Sequence, residues 1–246
     1  MVDLAILGGT GLTSLKNLKI SRREVVHTPY GEPSGALTFG SLCDREVVFL
    51  ARHGYGHTIP PHMVNYRANL WALKYAGVNR VIAVCAVGGI HLDLLPGSLV
   101  IPDQIIDYTW SREHTYFEKD LAQVTHIDFT EPYCGKMRSV LIEAAQRAEI
   151  PIATEGTYGA TQGPRLESTA EINRVERDGC DMVGMTGMPE AALAKELELC
   201  YAVCAVCANW AAGRGAGPID IAEIRENLSR SMAQVCLLLE EAIVQR

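Results

Sequence analysis

Residues 199–207 read Leu-Cys-Tyr-Ala-Val-Cys-Ala-Val-Cys, an unbroken run of apolar side chains. A short run without polar alternation marks a strand buried on both faces. Such a strand needs helices above and below it, and the rest of the chain offers them. Leu4-Ala-Ile-Leu7 is apolar and ends in Gly8-Gly9-Thr10-Gly11. Residues 46–51 end in Arg52-His53-Gly54, and residues 78–87 end in Gly88-Gly89. Residues 98–106 are β-branched and follow a turn at Pro96-Gly97. Helical patterns occupy residues 64–75, 138–148 and 189–197, the second with Leu141, Ala144, Ala145 and Ala148 on one face. Asp220-Ile-Ala-Glu223 has the spacing of a capping box. After it, Ile224, Leu228, Met232, Val235, Leu238, Leu239, Ala242 and Ile243 predict one long C-terminal helix packed on the sheet. No linker or repeat interrupts the pattern, so a single α/β domain is expected over residues 1–246. The loop at 108–133 is long and polar, carries Tyr108, Trp110 and Tyr116, and suits function or partner contact.

The charge balance narrows the function. Twenty-two Lys and Arg against 29 Asp and Glu leave a net charge of −7, which argues against a nucleic-acid partner. No apolar run approaches the ~20 residues of a membrane helix. Met1-Val2-Asp3 lacks the basic start of a secretory signal. A cytoplasmic protein without a membrane partner is therefore expected. Eight cysteines lie mostly in apolar stretches. Cys204 and Cys207 form a CxxC, but no second pair or nearby His completes a zinc set. In a strand this odd offset points the two side chains to opposite faces. Buried, reduced thiols are expected throughout.

Polar segments recur just after the predicted strands, where open α/β sheets bind ligands. Gly8-Gly9-Thr10-Gly11 allows close backbone approach to an anion and adds a hydroxyl, though it also reads as a tight turn. Arg52, His53 and His57 offer a fork of donors for an oxyanion; a surface salt bridge and packed imidazoles are the bland alternatives. Thr186 follows another strand end. A phosphate pocket would draw donors from several such ends.

A resemblance then covers nearly the whole chain. Gly8-Gly9-Thr10-Gly11, Ala51-Arg-His-Gly54, His57-Thr-Ile-Pro60-Pro61, Val64-Asn-Tyr-Arg-Ala-Asn69, Glu131-Pro132, Gln162-Gly-Pro-Arg165, Met185-Thr-Gly-Met-Pro-Glu190 and Glu198-Leu-Cys-Tyr-Ala202 occur in order. This resembles the trimeric purine nucleoside phosphorylases, in the methylthioadenosine phosphorylase branch. The resemblance implies a mixed central β-sheet flanked by helices, a homotrimer, and phosphorolysis of an N-glycosidic bond. It implies neither metal nor organic cofactor, inorganic phosphate being a substrate. Thr10, Arg52, His53, Thr186 and the Ala86 backbone N–H match phosphate ligands; at Cys85 a thiol replaces the family's hydroxyl. Met185, His57 and Pro61 match the sugar pocket, and His126 resembles a residue reaching a neighbouring subunit's pocket. Leu166 stands where the branch usually has Phe against the base, and Arg165 reads equally as a loop brace.

Two departures bear on the substrate. Where the adenosine-type branch carries two aspartates, this chain has Asn209 and Ala211. A 6-amino purine wants an acceptor and a 6-oxo purine wants a donor; ionised Asp only accepts, whereas Asn does both. Asn209 thereby becomes the expected catalytic group, with a turn-capping role as the bland alternative. At the sugar end, Ile221 and Ile224 stand where inosine phosphorylases place a His for the 5′-hydroxyl. Apolar groups there suit a 5′-methylthio substituent, although isoleucines opening a helix also suit a core. The expected reaction converts S-methyl-5′-thioinosine to hypoxanthine and 5-(methylthio)ribose 1-phosphate. Methylthioadenosine phosphorolysis and general 6-oxopurine nucleoside phosphorolysis are the nearest alternatives. A noncatalytic Rossmann-like nucleotide-binding protein is the alternative from another class.

Overall fold

The computed structural model describes residues 2–15, 17–119 and 121–244. The apolar runs become the parallel centre of an eleven-stranded sheet: β1 (Leu4–Gly8), β4 (Arg45–Ala51), β5 (Arg80–Gly89) and β11 (Cys200–Trp210). Antiparallel pairs adjoin it, so the sheet is mixed as the resemblance implies. β3 (Leu37–Leu42) pairs antiparallel with β4, and β2 (Lys19–Glu24) with β3. β2 is exposed along its whole length, and its Lys19, Arg22, Arg23 and Glu24 suit an edge that must not recruit another strand.

Alternation along the central strands divides the core. Val81, Ala83, Cys85 and Val203 face α1 (Tyr66–Tyr75) and α4 (Gly187–Glu196), through Leu70, Leu73, Leu193 and Ala194. Ile82, Val84, Cys204 and Val206 face α2 (Gly135–Arg147) and α5 (Ile221–Val244), through Leu141, Ala144, Leu228, Val235 and Leu238. Cys204 and Cys207 fall on opposite sides, as strand alternation requires. α5 is the long C-terminal helix the periodicity predicts, and Asp220 Oδ1 accepts from the Ala222 N–H at 2.8 Å at its start.

The central strand changes partner partway along. β5 pairs with β11 on one edge from Arg80 to Gly89. Its other edge pairs with β1 over Arg80–Ala83, then with antiparallel β10 (Met182–Gly184) at Gly88 and Gly89. β1 and β10 must share that edge, because each meets β5 at residues that also pair with β11. Between Val84 and Val87 the edge is open, and the ends of β1, β4 and β10 converge there. This is the fork at which α/β sheets bind ligands.

The structure corrects several expectations. The single strand expected at 98–106 is two, β6 (Leu99–Val100) and β7 (Gln104–Asp107), because Pro102 between them cannot donate to a ladder. β2, β3, β8 (Ile152–Ala153), β9 (Thr157–Ala160) and α3 (Thr169–Arg177) stand outside the sequence-based pattern. α3 opens with a reciprocal Ser168–Glu171 capping box. The thiols are not all reduced: Cys134 and Cys200 form a disulfide with Cα atoms 5.0 Å apart. The Cys134 N–H donates to the Tyr201 carbonyl at 2.8 Å, which brings the start of α2 against the start of β11. A separation of 66 residues hides that neighbourhood from a linear reading. Among the described residues no helix is long and apolar enough to cross a membrane.

Candidate active site

A cavity of about 350 Å³ occupies the fork in β5. That size accommodates a small ligand. Gly9, Thr10, Arg52, His53, Cys85, Ala86 and Thr186 line its inner end. They arrive from just past the ends of β1, β4 and β10 and from the middle of β5, where its edge is open.

Arg52 follows β4, and alternation from Val48 and Leu50 aims it toward α4. Its Nε donates to Glu190 Oε2 at 2.6 Å, its Nη2 to Glu190 Oε1 at 2.8 Å and its Nη1 to the Val84 carbonyl at 3.0 Å. Tyr201 Oη donates to the same Glu190 Oε1 at 2.7 Å. Burial opposes the charge on Arg52, but Glu190 beside it more than restores it and holds the guanidinium cationic. A guanidinium has five N–H groups, so donors remain for an anion in the cavity. A Cβ on Gly9 would sit 2.9 Å from Arg52 Nη1 and closer still to the Val84 carbonyl, so only glycine fits there.

His53 faces the Ile59 carbonyl through Nδ1 at 2.8 Å. A carbonyl only accepts, so Nδ1 carries the proton and Nε2 presents a lone pair. Burial and the Arg52 charge lower the imidazole to about 4, so the ring is neutral at pH 7. A neutral acceptor beside cationic and hydroxyl donors suits a hydrogen phosphate, which brings both acceptors and a proton of its own. Thr186 caps α4 without a side-chain cap bond, and its hydroxyl donates to Cys85 Sγ at 3.4 Å. Burial pushes the Cys85 thiol up, so it stays protonated. His57 Nε2 lies 3.5 Å from Thr10 Oγ1, and burial lowers its pKa as well.

The outer end carries Pro61, Leu166, Glu167, Met185, Ala208, Asn209, Ala211, Ile219 and Ile224. Asn209 lies just past a bulge in β11, where the register slips between Cys207 and Asn209. One N–H of its amide is held by the Trp210 carbonyl at 2.6 Å. The second N–H and Oδ1 remain for a ligand. Of the residues singled out in the sequence, the cavity gathers Thr10, Arg52, His53, His57, Pro61, Ala86, Leu166, Met185, Thr186, Asn209, Ala211 and Ile224. Ile221 departs from the expectation: it is half exposed on the first turn of α5 and outside the cavity lining, whereas Ile219 lines it. The helix begins at Ile221, so Ile219 lies ahead of it in non-helical chain and a helical projection does not apply to it. His126 lies exposed on the long loop and is absent from the lining of its own chain's cavity. Arg165 forms a bidentate pair with Glu171, both contacts 2.8 Å, and so braces the start of α3.

Sequence reasoning missed four participants. Glu190 sits at the end of the quoted Met-Thr-x-x-Pro-Glu block, yet nothing in the linear order ties it to Arg52. Glu167 lines the cavity, its Oε1 accepting from Thr161 Oγ1 at 2.5 Å. A carboxylate directly after Leu166 was a readable signal for it. Ile219 lines the cavity from just ahead of α5. Buried Arg112, from the long loop, donates to the carbonyls of Met185 at 2.8 Å, Met188 at 2.6 Å and Gln162 at 2.7 Å. It thereby ties two rims of the cavity together.

The chain matches the model of the phosphorylase superfamily over residues 3–244. It is 53% identical over 235 residues to a probable S-methyl-5′-thioinosine phosphorylase of Pseudomonas syringae pv. tomato, covering 96% of each chain. It is 46% identical to the 6-oxopurine nucleoside phosphorylase of Pyrococcus furiosus, covering 99% of this chain and 92% of that protein. Its fold superposes on methylthioadenosine phosphorylase from Schistosoma mansoni in complex with adenine with a TM-score of 0.95, at 34% identity, covering 99% of this chain and 91% of that one. The forked sheet, the strand-end donors and these matches along the full length agree, and the chain belongs to the phosphorylase superfamily.

Proposed function

We propose that this chain catalyses phosphorolysis of S-methyl-5′-thioinosine, giving hypoxanthine and 5-(methylthio)ribose 1-phosphate. The observation that carries the reading is that an amide, Asn209, and a carboxylate, Glu167, line the same cavity. A 6-oxopurine presents O6 as an acceptor and N1–H as a donor. The free N–H of Asn209 meets the first and the Glu167 carboxylate suits the second. A 6-aminopurine reverses both groups, and a mismatched buried pair is strongly disfavoured. Ile219 and Ile224 supply apolar surface for a methylthio group and nothing for a hydroxyl.

The reaction follows from these groups. Phosphate is held by Thr10, Arg52, His53, Thr186 and the Ala86 N–H against the ribose face. One of its oxygens forms a bond to C1′ as the C1′–N9 bond breaks with its electron pair going to the purine. Negative charge grows on the base, and Asn209 stabilises it through a donor to O6 and through Oδ1 accepting from a protonated N7. The proton that neutralises the base comes from solvent. The proposed reaction uses no metal or organic cofactor.

A homotrimer in the cytoplasm belongs to the same proposal. Exposed His126, outside its own cavity's lining, is free to serve a neighbouring subunit. Light scattering tests the trimer, and a monomer would remove that role for His126.

The deciding measurement is kcat/KM with phosphate for methylthioinosine, methylthioadenosine, inosine and adenosine. Methylthioinosine is expected to lead. A clear lead for methylthioadenosine overturns the reading of Asn209; a lead for inosine overturns that of the apolar wall. Turnover without phosphate would exclude phosphorolysis.

A further inference from the structure

A buried asparagine on α5 touches the strand that carries Asn209. Asn227 is 2% exposed and stands on a buried helix face that, apart from Ser231, is built from Leu228, Val235, Leu238, Leu239, Ala242 and Ile243. A polar side chain on such a face is costly unless its hydrogen bonds are made. Asn227 makes them in a specific direction. Its Oδ1 accepts from Arg230, which fixes the amide orientation, and its Nδ2 donates to the Ala208 carbonyl at 2.8 Å. Ala208 is the extra residue of the bulge, because Cys207 pairs with Val87 and Asn209 with Gly88. An extra residue in a bulge leaves the regular ladder, so its buried carbonyl needs a donor from elsewhere.

The same bulge is held on its other flank. The Gly97 N–H donates to the Cys207 carbonyl at 2.7 Å. Ser231, one turn beyond Asn227, donates to the Asn227 carbonyl at 2.9 Å and to that of Gly97 at 3.3 Å. The bulge matters because a strand's side chains alternate. Relaxing it by one residue turns Asn209 toward the opposite face of the sheet. None of these contacts involves Arg52, His53, Thr186 or Glu190.

We propose that Asn227 is a positioning residue for the base end of the active site, clamping the Ala208 bulge so that the Asn209 amide faces the purine. The proposal rests on the reading of Asn209 as the base-facing group. It separates the two ends of the cavity: Asn227 acts on leaving-group stabilisation, and phosphate binding is independent of it.

The test compares Asn227→Leu, which keeps volume on the apolar helix face, and Asn227→Ala, each in the wild-type and Asn209→Ala backgrounds. Turnover of methylthioinosine and KM for phosphate are measured for all. In the wild-type background both variants are expected to lower kcat by about tenfold or more, the loss of one well-aimed hydrogen bond. KM for phosphate is expected to stay within about twofold, since uniform binding there is untouched. In the Asn209→Ala background neither variant should lower kcat further, because residues acting as a unit are non-additive. An unchanged kcat in Asn227→Leu overturns the proposal. So does a loss of the same size in both backgrounds, which marks a merely structural role. If Asn209→Ala alone leaves turnover intact, the base-facing reading of Asn209 fails and this proposal falls with it. Loss through Asn209→Ala without loss through Asn227→Leu sinks only the proposal.

Discussion

Arg52 and Glu190, 138 residues apart, form a bidentate ion pair with contacts of 2.6 and 2.8 Å in a fully buried position. The pair ties the end of β4 to α4 and fixes the guanidinium at the inner end of the cavity. Tyr201 on β11 completes it through Glu190. The guanidinium at the proposed phosphate end is thus held by Glu190, and Glu190 by Tyr201, two residues outside the cavity lining.

Glu190→Gln should lower folding stability by about 3–5 kcal/mol, because it leaves Arg52 as a buried charge without its counter-ion. Tyr201→Phe keeps the pair and removes one hydrogen bond, at about 1 kcal/mol. KM for phosphate should rise in both, and more in the first. Denaturant unfolding and phosphate titration check this. A phosphate KM unchanged in a folded Glu190→Gln enzyme would show that Arg52 does not hold the anion.

Asn209→Asp converts a group that donates and accepts into one that only accepts. The ratio of kcat/KM for 6-oxo over 6-amino nucleosides should fall by about 100-fold, the scale of leaving one buried polar group unsatisfied. The four-nucleoside panel run on the variant reads the ratio directly. An unchanged ratio would mean that the side chain does not face the heterocycle.

His53 is neutral in the folded protein down to about pH 4, whereas an unfolded chain protonates it near its ordinary 6.5. As pH falls through 6.5 the unfolded state takes up a proton that the folded state refuses. Stability is therefore full above that value and declines toward pH 4, by about 3 kcal/mol from this group. His53→Gln should flatten that part of the profile. Unfolding midpoints at pH 7 and pH 4.5 for both proteins measure it, and parallel profiles would refute the assignment.

The Cys134–Cys200 disulfide closes a long loop between the start of α2 and the start of β11. Reduction should cost about 2–4 kcal/mol of stability. Melting with and without a dithiol reductant reads the shift, and the Cys134→Ala, Cys200→Ala double variant should melt at one temperature under both conditions. A wild-type melting temperature indifferent to reductant would count against the crosslink.

Local pattern carried much of this protein. The apolar run at 199–207, the strand-end glycines and the periodicity after Asp220 were enough for an α/β domain with a long closing helix, because burial on one face or two leaves a mark in neighbouring residues. That Thr10, Arg52, His53 and Thr186 meet in one cavity was readable for the same reason: each follows a strand end, and strand ends converge. The tertiary structure decided what depends on distant pairs. It joined Glu190 to Arg52 and Cys134 to Cys200, brought Glu167 and Asn209 to one cavity, and put Ile219 rather than Ile221 in its lining. Hydrogen bonds and crosslinks form between atoms that are close in space. Once the chain folds on itself, sequence separation no longer reports that distance, and a one-residue bulge can redirect a side chain without changing a single letter around it.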